Sequence, residues 1–126
     1  MKNTLDRLNI TVLLGGPSSE REISLKSGAS VARALRSLGH QVEEVDPRTG
    51  ELKLPANTEV VFIALHGTYG EDGTVQQQLE ALNVPFTGCD SVASRVSFDK
   101  VLTKQRCSDS GIAIARFFVL DSPEAF

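Results

Sequence analysis

Three stretches of this chain hold residue types that do chemistry. The first is Gly15-Gly16-Pro17-Ser18-Ser19-Glu20-Arg21-Glu22. Two glycines allow close backbone approach, and a helix starting after them attracts anions. Glu20 and Glu22 admit two readings. Carboxylates in the first turn of a helix complement its dipole, a contribution of about 0.3–1 kcal/mol that needs no ligand. A carboxylate facing a crevice would instead hold a substrate ammonium. The second stretch is His66-Gly67-Thr68-Tyr69-Gly70-Glu71-Asp72-Gly73. His66 either caps the preceding strand through a backbone contact or offers its imidazole to a substrate carboxylate. The third is Lys100 with Lys104, four residues apart. These lysines form a solvated helix face, or one of them reaches a phosphate as a mobile point charge. His40, beside Gly39, reads as a favourable contact with a helix end.

Position decides how much these residues can do, so the elements that carry them matter. Ile10 to Leu14 is a short apolar, partly β-branched run, and Val60 to Leu65 is a second and stronger one. Such runs read as buried strands of a parallel sheet. Between them, Leu25, Gly28, Val31, Ala32, Leu35 and Leu38 recur at helical spacing, with Gly39 as a C′ glycine. Gln41 to Asp46 reads as a strand ended by Pro47. Thr74-x-x-Gln77 fits a capping box ahead of a helix carrying Val75, Leu79 and Leu82, closed by Asn83. Pro85 to Gly88 reads as a short strand and turn. A helical pair follows, about Ser91 to Val96 and Asp99 to Ser110, ending at Gly111, and Ile112 to Leu120 is strand-like. The order β-α-β-β-α-β-α-β predicts a Rossmann-like α/β fold, a parallel sheet with helices on both faces. Ligands of such sheets bind beyond the carboxyl ends of the strands, and the Gly15 and His66 loops both leave strands at that edge.

Composition narrows the classes. At 126 residues the chain holds one domain of ordinary size. Hydrophobic residues make up 40% and charged residues 23%, a mixture that buries a core rather than staying disordered. The net charge of −3 and the lack of a basic stripe argue against nucleic-acid binding. No apolar run is long enough to cross a membrane, and Met1 to Asn9 has no signal-like apolar stretch, so the cytoplasm is expected. Cys89 and Cys107 lack metal-ligand spacing and are expected to stay reduced; no metal site is expected. The dinucleotide fingerprint, the Walker A motif and the G-x-S-x-G elbow are all absent.

Taken together, the two loops resemble a known family. Leu13-Leu14-Gly15-Gly16-x-Ser18-x-Glu20-Arg21-Glu22-Ile23-Ser24-Leu25-x-Ser27-Gly28 is similar to the opening of D-alanine–D-alanine ligases. Phe62-Ile63-Ala64-Leu65-His66-Gly67-x-x-Gly70-Glu71-Asp72-Gly73-Thr74-x-Gln76 resembles their second signature, and Phe86-Thr87-Gly88 and Asp99-Lys100 follow in order. The resemblance implies the N-terminal domain of an ATP-grasp ligase of peptidoglycan precursor synthesis, working with ATP and magnesium. Residues 1–111 would be that domain, and residues 112–126 the first strand of a central ATP-grasp domain. Glu20, the catalytic-site carboxylate, would hold the ammonium of the first D-alanine. His66 would stand near that substrate's carboxylate, and Lys100 would contact ATP phosphates. The resemblance also implies a homodimer, and a chain inactive alone, because the family's nucleotide pocket and magnesium carboxylates belong to domains beyond it. Gln77, Phe86, Arg95, Ala113 and Ala115 depart from the family pattern. The alternative from another class is a non-catalytic fragment that dimerises or binds a partner.

Overall fold

The computed structural model describes residues 7–120. The polar ends read from the sequence, residues 1–6 and 121–126, lie outside the described residues. Strand β1 spans Asn9–Leu13, helix α1 Arg21–Ser37, strand β2 Gln41–Val45 and strand β3 Val60–Ile63. Helices α2 (Thr74–Ala81), α3 (Ser91–Phe98) and α4 (Lys100–Asp109) complete the order.

The three strands form one parallel sheet in the order β2-β1-β3. Leu13 pairs with Val45 on one side and with Ile63 on the other, so the three strand ends are level. Successive strand side chains point to opposite faces, and both faces here are apolar. Ile10, Val12, Leu14 and Ala64 meet Ala32 of α1, with Leu25, Val31 and Leu35 packed alongside. Leu13, Val61 and Leu65 meet Val75 and Leu79 of α2 together with Tyr69. The α/β fold with helices on both faces expected from the sequence is therefore present.

Helix ends follow from local sequence. Gly39, Asn83 and Gly111 each stand just beyond a helix with positive φ. At each, the next two amides fold back onto the last turn: Gly39 to Arg36 and His40 to Leu35, Asn83 to Glu80 and Val84 to Leu79, Gly111 to Ser108 and Ile112 to Cys107. This is the Schellman arrangement, which satisfies carbonyls that the helix leaves open. Asp99 divides the last two helices, its carboxylate accepting from the amides of Val101 (2.8 Å) and Leu102 (3.0 Å).

Three expectations are corrected. The capping box at Thr74 does not form: Gly73, at φ +89°, is the N-cap, and no side chain caps the helix from that position. Asp72 takes the Thr74 amide instead (2.9 Å), so the chain enters α2 through an Asp turn and a left-handed glycine. The strand at Pro85–Gly88 is a single parallel bridge between Val61 and Phe86. Ile112 to Leu120 forms no strand. Its apolar, β-branched composition suits a sheet, but no free strand edge among the described residues pairs with it.

Candidate functional site

Gly15 and Gly16 directly follow Leu14 at the carboxyl end of β1, with φ +79° and +74°. A side chain at Gly15 would lie 2.6 Å from Asp46 Oδ1, so only glycine admits the approach of Asp46. Asp46, which follows β2, accepts the Gly16 amide (2.9 Å) and pairs with Arg21, whose Nη1 donates to Oδ1 at 2.8 Å. The hydrogen bond from Arg21 holds the Asp46 carboxyl below the usual carboxylate range; burial opposes it, and the Gly16 amide adds a smaller lowering. Arg21 Nη1 also donates to the Gly16 carbonyl (3.1 Å). The first loop is thereby clipped to the end of β2 at both its backbone and its first helical residue.

Serines join this loop to the second one. Ser24 Oγ accepts the Gly15 amide (2.9 Å) and donates to the Ala64 carbonyl (2.7 Å). Ser18 Oγ donates to the His66 carbonyl (2.7 Å) and accepts the Glu20 amide (3.1 Å). Ser27 Oγ lies 3.0 Å from His66 Nε2. The His66 ring is therefore held from α1, across the sheet end, and its backbone from the first loop.

Glu20 occupies the N-cap position of α1, yet its carboxylate caps no backbone amide. It leans instead toward the second loop: a Cβ at Gly67 would fall 2.6 Å from Glu20 Oε2. Gly67, at φ +69°, keeps that space clear, and its own amide donates to Glu71 Oε2 (2.8 Å). Glu20 thus lies against the His66–Gly67 turn, and Glu22 stands exposed on the helix beyond it.

The rest of the second loop is tied down by hydrogen bonds from its own side chains. Asp72 accepts the amides of Tyr69 and Thr74, each at 2.9 Å. Burial pushes the Asp72 carboxyl up, but these hydrogen bonds outweigh it and hold the group below its ordinary value. Burial raises the Tyr69 phenol, which donates to Gln78 (3.2 Å). His66, Glu71, Gln76, Thr87, Cys89 and Ser94 line a hollow of about 330 Å³. Gln76 Nε2 donates to the Gly70 carbonyl (2.8 Å), while its buried Oε1 has no partner among the described residues.

Lys100 is not brought to this site by any contact of its own. It is the exposed first residue of α4, which packs on α3. Lys104 is engaged elsewhere, its ammonium 5.1 Å from the centre of the Phe117 ring. His40 accepts the Leu8 amide at Nδ1 (3.3 Å), a more specific role than a helix-end charge. Both thiols are free. Among the described residues no three His, Cys, Asp or Glu side chains converge as metal ligands, and no helix is long and apolar enough to cross a membrane. Sequence reasoning missed Ser18, Ser24, Ser27 and Asp46. For Ser24 and Ser27 the three-residue spacing on α1 was the available signal; Ser18, in the loop before the helix, and Asp46, 25 residues from Arg21, gave none.

Residues 39–89 match the family profile described as "D-ala D-ala ligase N-terminus". The D-alanine–D-alanine ligase of Aquifex aeolicus is 54% identical over 110 residues, which is 83% of this chain and 37% of that protein. The Moorella thermoacetica ligase is 48% identical over 93% of this chain and 38% of its own length. The chain thus spans under two-fifths of these curated relatives. Among solved structures, the Aeromonas hydrophila D-alanine–D-alanine ligase aligns with TM-score 0.82 at 28% identity, covering 90% of this chain and 50% of that one. The Bacillus anthracis ligase complexed with ATP aligns at TM-score 0.72 and 27% identity, over 93% of this chain and 43% of that one. Sequence and fold together place this chain with the N-terminal domain of the D-alanine–D-alanine ligases.

Proposed function

We propose that this chain supplies the first D-alanine site of an ATP-dependent D-alanine–D-alanine ligase working in the cytoplasm on cell-wall precursors. The observation that carries the reading is the meeting of the Glu20 carboxylate with the His66–Gly67 turn at the level ends of β1 and β3. Glu20 offers a full negative charge, freed from capping, to the ammonium of the amino acid. His66 stands beside it for the carboxylate. The Arg21–Asp46 clip and the serine bridges hold the two loops and the His66 ring before substrate arrives, so less ordering is left to binding. In the complete reaction ATP activates the carboxyl of one D-alanine as an acyl phosphate, and the amine of the second attacks it. Lys100 would contribute its charge to the ATP phosphates.

Two measurements test this. In the complete ligase, Glu20→Gln is expected to cost ~2–4 kcal/mol in transition-state stabilisation, the loss of a charge-assisted bond to an ammonium. Glu22→Gln should cost about 1 kcal/mol or less, and in stability rather than rate. Equal small effects on kcat/KM would make Glu20 structural. The 126-residue chain alone is expected to form no D-alanyl-D-alanine, since phosphoryl transfer would lack its main electrostatic support. ATP-dependent dipeptide formation by the purified chain would refute that.

A further inference from the structure

Ser27 carries an inference about His66 that rests on the proposed substrate role of that ring but is tested without substrate. Ser27 Oγ has two neighbours, the Ser24 carbonyl at 3.2 Å and His66 Nε2 at 3.0 Å. A hydroxyl has one proton, and a carbonyl can only accept. If the proton went to His66 Nε2, two lone pairs would face each other between Ser27 Oγ and the Ser24 carbonyl. If it goes to the carbonyl, Nε2–H can donate to Oγ and both contacts are satisfied. Ser24, one turn earlier, uses its hydroxyl in the same way: it accepts an amide from Gly15 and donates to the Ala64 carbonyl.

We infer that Ser27 is a positioning residue that holds the His66 proton on Nε2 and so leaves Nδ1 as the nitrogen that meets the ligand. Nδ1 makes no hydrogen bond among the described residues, and His66 lines the hollow shared with Glu71, Gln76 and Thr87. In the neutral ring Nδ1 is an acceptor, suited to an ammonium or amide N–H. It donates to a carboxylate only after taking a second proton, and the Nε2–H bond to Ser27 is then already in place.

The test is the long-range proton–nitrogen NMR correlation of the two imidazoles in the ¹⁵N-labelled 126-residue chain, with His40→Gln assigning them. The expected result, read at a pH high enough for the ring to carry one proton, is that this proton sits on Nε2 of His66. Ser27→Ala should speed exchange of that proton by about tenfold, as expected for loss of one net hydrogen bond, and Ser27→Thr should restore slow exchange. A proton on Nδ1 in the unmutated chain, or an Nε2 proton whose exchange ignores Ser27→Ala, would overturn the inference. The unmutated chain alone decides the tautomer should Ser27→Ala fail to fold. Failure of the Glu20 kinetics would leave this result standing, so the two readings fail separately.

Discussion

The Arg21–Asp46 pair carries a pH dependence whose sign is fixed by its direction. Asp46 titrates lower in the folded chain than the ordinary ~3.9 of an unfolded aspartate. Its contribution is therefore full above about pH 4 and is lost as pH falls through the depressed folded value. Asp72 acts in the same direction through its amide bonds. The expected outcome is that urea midpoints fall on acidification below about pH 4, and that Asp46→Asn flattens part of this fall while Asp72 keeps the remainder. An unchanged acid slope in Asp46→Asn would mean that the clip contributes nothing to stability. The side chains of the pair are 24% and 29% exposed, so added salt should weaken the effect. Individual residues were legible in proportion to their locality. His66 stood out because it directly follows an apolar run, and Glu20 because it closes the short loop between an apolar run and a helical repeat. Asp46 did not, because its partners Gly16 and Arg21 reach it only through parallel pairing of β1 with β2.

Elements are held at fixed distance by glycines that sit where a methyl would collide. Gly28, inside α1, faces Leu14: an added Cβ would lie 2.4 Å from Leu14 Cβ. Alanine normally stabilises a helix interior by about 1 kcal/mol over glycine. Overpacking a close contact costs typically 1–3 kcal/mol, and here both atoms sit on the backbone side of their residues, where neither can swing away. Gly28→Ala is therefore expected to lower stability by about 1 kcal/mol, read as a shift of the urea midpoint at unchanged m-value. A stabilised Gly28→Ala would show that α1 lies farther from β1 than the structure has it. The same helix carries Ser24, Ser27 and the N-terminal Glu20, so a displaced α1 should also weaken the hold on His66. Strands and helices could be read from periodicity because their apolar residues repeat at two and at three to four. The entry to α2 could not, because Thr74-x-x-Gln77 matches a capping box while Asp72 and the left-handed Gly73 take over its work. The tail takes no strand here for a different reason: strand propensity at Ile112 to Leu120 reports side chains suited to a sheet, and a sheet also needs a partner edge.

At the scale of the whole molecule that tail decides solution behaviour. Ile112, Phe117, Phe118 and Val119 are 58%, 43%, 80% and 55% exposed, and Val101 and Leu102 on the adjacent α4 are exposed as well. Within Ile112 to Leu120 the only charge is Arg116. Burying three such side chains gains about 5 kcal/mol by transfer bookkeeping. Ordering a strand costs about 1–2 kcal/mol per residue, so burial alone does not offset it and backbone hydrogen bonds must contribute. In the 126-residue chain another copy can supply both, since an unpaired apolar segment presents open N–H and C=O groups to its twin. The expected outcome is a dimer or larger species at about 50 μM, within the range where exposed apolar segments associate. Sedimentation velocity of the chain against a version ending at Gly111 separates the tail from any other contact: the shorter chain should move toward the monomer. That truncation removes the Ile112–Cys107 bond at the end of α4 but keeps the Gly111–Ser108 bond, and every residue of the sheet and of both site loops stays in the chain. A clean monomer for the 126-residue chain, unchanged by truncation, would show that the tail does not associate, whatever its composition.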